Sequence, residues 1–288
     1  MEYHKDRFDD ISIVVRKDAK MVAGLPAHRI GDLAKSHGGL TYGGFFHTPE
    51  LKLGEVFFAF EAALRLLKQS GISNLEIKPV PAIYHQIPSD ELLQALFIAK
   101  AQLMGREVLS VADLRAPSRI AKTRREAIAR GKKNALEIRE VSHFDEFWNQ
   151  ILIPNLQRRY GALPVHSQKE IEQLHQLFPN NIRQFNVYDH GQIVAGTTVF
   201  ESDRVAHPQY LSALEDRNQT GAIDYLYHHL MDQVFDHKSY FDFGTSVQDG
   251  KISSNLVFWK ESFGARSIVQ DQYLVNTANH KLLLDAFV

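Results

Sequence analysis

The chain has 288 residues, 44% hydrophobic and 23% charged, which is enough for two ordinary globular domains with sizeable cores. A net charge of −1 excludes a global field for nucleic acid or anionic lipid, and the absence of cysteine excludes disulfides, thiolate zinc sites and a cysteine nucleophile. The N-terminus MEYHKDRFDD lacks the apolar core of a secretory signal, and no run approaches the ~20 apolar residues of a membrane span, so a cytoplasmic location is expected.

In chain order, ISIVV (11–15) and Met21–Leu25 read as strands around a turn at Lys17–Lys20. SHGGLTYGGFF (36–46) holds four glycines, too many for a helix interior, and reads as strand and loop where backbone approaches another group. Residues 52–70 place Val56, Phe57, Phe60, Ala63, Leu64 and Leu67 at helical spacing, with Gly71 closing the helix. A strand over 73–81, a helix over 90–103 capped by Ser89 or Asp90, and a strand over 105–114 follow.

After Pro117 the composition shifts. Residues 118–133 carry seven Lys/Arg and one Glu. Beyond them come a strand (136–141), a helix (Phe144–Tyr160) and a helix over 167–178, where Ser167 and Glu170 form a capping box. Three strands (184–189, 192–202, 206–214) predict an antiparallel meander, turning first at His190-Gly191. A helix (221–237), a strand (239–247), a helix (253–264) and a last strand (267–275) predict parallel neighbours in a mixed sheet. Residues 11–114 repeat this order in shorter form, without literal sequence repetition.

That order resembles two GNAT N-acyltransferase units in tandem, an α/β mixed-sheet architecture. It is similar to the FemAB-like and polysaccharide-associated branch of the superfamily. The likeness is carried by SRIAKTRREAIARGKKNALEI, by FDFGTSVQDGKISSNLVFWKESFGAR, where an aromatic-Lys pair precedes Phe-Gly, and by SHGGLTYGG and HPQY. The resemblance implies an acceptor-side unit over 1–117 and a catalytic, donor-side unit over 118–288. It implies transfer of an acyl group from acetyl-CoA or another acyl-CoA to an amine of a small or nucleotide-linked acceptor, such as an amino sugar of the cell envelope. Aminoacyl-tRNA is the alternative donor, and a non-catalytic binding protein on the same fold is a third reading.

Members of the superfamily carry Gln/Arg-x-x-Gly-x-Gly/Ala at the turn that binds coenzyme A pyrophosphate. The matching DRNQTGA has Arg217 but one glycine only, Gly221, followed by Ala222. A loop entering a helix still offers free amides to phosphate. Arg124 and Arg125 of the basic segment are further phosphate candidates.

Lys260 follows Phe258-Trp259. Read locally, it lays its stem on apolar surface and its ammonium in water. The resemblance places it in the catalytic centre, stabilising an oxyanion or the leaving donor, with Trp259 bounding the site or holding the cation over its ring. His207 is a base candidate because imidazole titrates near neutrality, and Tyr210 shares its strand. Asp242, paired with Glu261, either deprotonates an amine or caps a loop, and Ser246 nearby is a substrate-binding candidate. His37 and Tyr42, among paired glycines, are assigned to acceptor recognition. No metal site is expected: His228-His229 are adjacent on a helix and do not share a face. Composition says nothing about oligomeric state.

Overall fold

The structure, a computed structural model, describes residues 7–36, 38–117, 120–214, 220–248 and 250–287. The strands β1 (Asp9–Asp10), β2 (Ile13–Lys17), β3 (Lys20–Leu25), β4 (His28–Ile30), β5 (Leu33–Lys35) and β6 (Phe46–His47) precede helix α1 (Leu53–Gln69). Then come β7 (Asn74–Ile77), α2 (Glu91–Ile98), β8 (Gln102–Asp113), α3 (Lys122–Lys133) and β9 (Glu137–Val141). Helix α4 (Asp145–Phe147) widens into a π-turn over Trp148–Leu152 and continues as α5 (Ile153–Tyr160). The chain continues through α6 (Gln168–Leu177), β10 (Ile182–Asp189), β11 (Gln192–Glu201), β12 (Val205–Ala213) and α7 (Ala222–His229). It ends with β13 (Tyr240–Thr245), β14 (Val247–Gln248), β15 (Lys251–Ile252), α8 (Ser254–Glu261) and β16 (Arg266–Asn276).

By contact, residues 1–107 with 269–288 form one unit and 108–268 the other. The sequence-based division at 117/118 therefore differs at both ends. Residues 108–117 go with the second unit, and the last twenty residues go with the first. The reason is pairing: Tyr273–Asn276 of β16 run antiparallel to Asn74–Ile77 of β7.

In the first unit, Asp18 and Ala19 both take left-handed φ values, 50° and 67°, which a two-residue turn between twisted strands requires. Val56, Phe57, Phe60, Leu64 and Leu67 of α1 are buried at helical spacing and anchor the core. Helix α2 stops at Ile98, short of the expected 103. Lys100 adopts φ 54°, a left-handed residue that ends a helix, and β8 begins at Gln102. The β4–β5 hairpin was not anticipated, because its strands are only three residues each.

In the second unit the sheet order is β8-β13-β12-β11-β10-β9. The meander β10–β11–β12 is antiparallel and β12–β13 is parallel, as expected. The other neighbour of β13 is the antiparallel β8, not the last strand. Ser167 and Glu170 form the reciprocal capping box at the start of α6. The expected single helix over 144–160 contains the π-turn. Pro154 has no N–H to donate, and the backbone widens just ahead of it. The long helix expected over 221–237 is α-helical only to His229 and π-helical over Leu230–Val234. This unit's core packs Phe185, Leu226, Tyr227, Phe235, Phe241 and Phe263. Among the described residues no helix is long and apolar enough to cross a membrane.

Candidate functional site

The parallel strands β12 and β13 pair only at Val205↔Tyr240 and Ala206↔Phe241. Beyond that point a side chain takes over from the ladder. The Nδ1–H of His207 donates to the Asp242 carbonyl at 2.9 Å; a carbonyl only accepts, so Nε2 is left as the ring's acceptor. Gly244 follows with φ 73°, and a Cβ there would lie 3.2 Å from the His207 ring. Asp242 Oδ1 accepts from the Gly244 amide at 2.7 Å, which shapes the turn at the end of β13. The opening in the sheet is thus held by His207, Asp242 and Gly244.

Lys260 reaches this turn from α8. It is 4% exposed, and its ammonium donates to the carbonyls of Gly244 (2.8 Å) and Thr245 (2.6 Å). The local expectation of a lysine reaching for water is overturned. Burial pushes its ammonium down to about 8, while the Asp242 carboxylate acts in the opposite direction. Ser246, 2% exposed, has a buried hydroxyl oxygen without a hydrogen-bond partner among the described residues. Glu261 is exposed while Asp242 is fully buried, so the two do not form a working acid pair.

Adjacent helical residues point about 100° apart. Trp259 accordingly faces elsewhere, and no cation lies over its ring among the described residues. It packs on Tyr227 and Phe263, with ring centroids 5.3 Å away in each case. Its Nε1–H donates to Asp224 Oδ1 at 3.2 Å, and the same oxygen accepts from Arg124 Nη1 at 2.7 Å. These three residues, with Arg159, Ser253 and Asn255, line a cavity of about 760 Å³. Trp259 thus bounds a cavity, and Arg124 is tied to a carboxylate.

The other candidates are dispersed. Tyr210 is buried under the α4–α5 segment, its hydroxyl 2.7 Å from His166 Nδ1 and its ring 4.9 Å from that of Trp148. A bulge at Gln209 separates it from His207: Thr198 faces Tyr210 and Val199 faces Pro208. Gly221 (φ 73°) brings its bare Cα against α3, where a Cβ would lie 2.2 Å from the Ala127 carbonyl. Its glycine character therefore serves helix packing. Ala222 is buried and Arg125 exposed. Arg217 lies outside the described residues. In the first unit, Tyr42 donates to the Tyr84 hydroxyl at 3.0 Å. A Cβ on Gly43 would lie 1.6 Å from the Ser36 carbonyl, so that glycine answers to backbone packing. His37 lies outside the described residues.

Asp224 was missed by sequence reasoning. It sits in the first turn of α7, where acids commonly face helix amides, and nothing local distinguishes it.

Residues 115–251 match the family model described as acetyltransferase (GNAT) domain. No curated protein is significantly similar in sequence. Among solved structures, FemX superposes with a TM-score of 0.63 at 10% identity, covering 96% of this chain and 90% of that one. L-PGS from Bacillus licheniformis gives 0.60 at 12% identity, with 96% and 88% covered. A tandem GNAT protein from the clavulanic acid biosynthesis pathway gives 0.52 at 11%, with 92% and 82% covered. At these identities the likeness is one of fold.

Proposed function

We propose, from the match of residues 115–251 to the GNAT domain model, that the protein is an N-acyltransferase working at the opening between β12 and β13. An amine nitrogen attacks the carbonyl carbon of an activated acyl donor. A tetrahedral oxyanion forms and collapses, the bond to the donor's sulfur or oxygen breaks, and the amine loses a proton. The chain has no cysteine for a covalent intermediate, and direct attack needs none.

His207 has its Nδ1–H engaged, which orients Nε2 as the proton acceptor for the amine. Lys260 spends two donors on carbonyls and keeps a third N–H for the oxyanion or the departing group. An ammonium brought down to about 8 also gives up a proton more readily than an ordinary lysine. The observation that carries this reading is the burial of the Lys260 ammonium at the end of β13, beside the sheet opening.

The donor proposed for first trial is acetyl-CoA and the acceptor an amino sugar or other amine-bearing cell-envelope precursor, in the cytoplasm. The basic side chains of α3 that remain exposed, Arg125 among them, would receive its phosphates. The test is acyl transfer from acetyl-CoA to a panel of amino sugars, run beside Lys260→Met. Transfer that the variant loses while keeping the wild-type circular dichroism spectrum and a cooperative unfolding transition supports the reading. Transfer undiminished in Lys260→Met removes that residue from the mechanism.

A further inference from the structure

We propose that the first unit carries a second catalytic site, a Ser89–His47 pair that cleaves small carboxylic esters through an acyl-serine. It is independent of the acyl-transfer reading and shares no residue with it. His47, Ser89 and Glu91 all lie within residues 1–107.

His47 ends β6, and its side chain is 7% exposed. Its Nδ1 lies 3.1 Å from the Thr48 carbonyl oxygen. A carbonyl only accepts, so Nδ1 carries the proton and Nε2 of the neutral ring is the acceptor. The Ser89 hydroxyl lies 3.1 Å from that Nε2 and donates to it. A nucleophile within hydrogen-bond reach of a base, with the base oriented by a third group, is the arrangement that activates a serine. Asp90, not Ser89, is the N-cap of α2, so the helix does not use this hydroxyl. Ser89 is half-buried, and Gln86, Ile87, Pro88 and Asp90 beside it in sequence are exposed, so solvent reaches the serine while the imidazole stays sheltered.

Glu91 adds an independent observation. Its Oε2 is buried 3.6 Å from the same Nε2 and has no hydrogen-bond partner among the described residues. A buried carboxylate oxygen without a donor is costly. Once Nε2 takes the serine proton, that oxygen faces an imidazolium N–H, so the carboxylate favours the charged state that acylation creates. The first amides of α2 have no carbonyl within the helix to bond. They begin two residues after Ser89 and are the donors at hand for an oxyanion.

In the reaction, Ser89 Oγ bonds to the ester carbonyl carbon as its proton passes to His47 Nε2. The oxyanion collapses, the bond to the alcohol oxygen breaks, and the alcohol leaves with that proton. Water then attacks the acyl-serine, giving its proton to Nε2, and collapse releases the acid and restores the Ser89 hydroxyl. Open surroundings supply little binding energy, which suits an ester rather than the less reactive amide.

The whole chain is treated with diisopropyl fluorophosphate and the adduct located by peptide mass spectrometry, beside hydrolysis of p-nitrophenyl acetate. The expected adduct is on Ser89. Labelling there and ester hydrolysis should both fall by about 10²-fold or more in His47→Asn, and hydrolysis equally in Ser89→Ala. No adduct, an adduct on another residue, equal labelling in His47→Asn, or hydrolysis kept by Ser89→Ala overturns the proposal. If circular dichroism shows that His47→Asn is misfolded, the site of labelling and Ser89→Ala decide. Hydrolysis lost in Lys260→Met but kept in Ser89→Ala places ester cleavage at the β12–β13 opening, which sinks this proposal and leaves the acyl-transfer reading standing. Labelling of Ser89 with loss of hydrolysis in Ser89→Ala, without transfer from any donor, does the reverse.

Discussion

The Nζ of Lys260 lies 2.8 Å from the carbonyl oxygen of Gly244, at the turn where β13 leaves its parallel partner. A second bond, to Thr245, fixes the ammonium against main chain. Removing the amine therefore affects both the turn and any chemistry done beside it. Lys260→Met, which keeps the length of the stem, is expected to lower transfer by about 10²-fold or more, the scale of losing one oyxanion donor. Steady-state rates, with circular dichroism as the fold check, measure it.

The same residue makes stability depend on pH in a defined direction. Its folded value of about 8 lies below the ordinary 10.5, so between these values the unfolded chain binds more protons. Stability contributed by this group therefore rises with pH across that window, by about 3 kcal/mol at most. Below pH 8 both states are protonated and the folded state bears the full cost of burying the charge. Urea midpoints at pH 7.5, 9 and 10 should show wild type gaining on Lys260→Met as pH rises. Parallel curves would contradict this.

His207 separates catalysis from support by choice of substitute. Asn places an amide N–H near the position of Nδ1–H, so His207→Asn can keep the bond to the Asp242 carbonyl while lacking Nε2. If Nε2 accepts the proton, His207→Asn and His207→Ala both lose about 10²–10⁴ in kcat. Recovery of activity in Asn but not in Ala would assign His207 a supporting role only.

Gly221 and Gly191 both have positive φ, 73° and 80°, but differ in surroundings. A Cβ on Gly191 meets nothing within 4 Å, while one on Gly221 meets the Ala127 carbonyl at 2.2 Å. Gly191→Ala should cost about 1–2 kcal/mol of left-handed strain. Gly221→Ala should cost about 1–3 kcal/mol more from overpacking. Denaturant unfolding of the two variants compares them directly.

Ser167→Ala removes the hydroxyl that accepts from the Glu170 amide at the start of α6 and should cost about 1 kcal/mol. The change lies away from the β12–β13 opening, so transfer rates are expected to stay unchanged while the urea midpoint falls.

The elements most legible in advance are those specified by neighbours in sequence. The capping box of α6 needs residues three apart, and the buried stripe of α1 needs spacing of three and four. The end of α2 was harder to read: Lys100 in a left-handed conformation has no residue signature, since lysine is an ordinary helix former. At the site, Lys260, His207 and Asp242 were each nominated and do converge. Trp259 and Lys260 were read as one unit, but consecutive helical side chains diverge, and each serves a different place. Asp224 escaped because its partner Arg124 stands 100 residues away.

Periodicity, caps and turn residues settled the order of helices and strands and the mixed sheet, because these depend on contacts within a few residues. Which unit receives the last strand, which way the amine of Lys260 turns, and which carboxylate borders the cavity depend on partners distant along the chain. Those choices arise when the folded sheet and helices exclude water from some polar groups and leave others open.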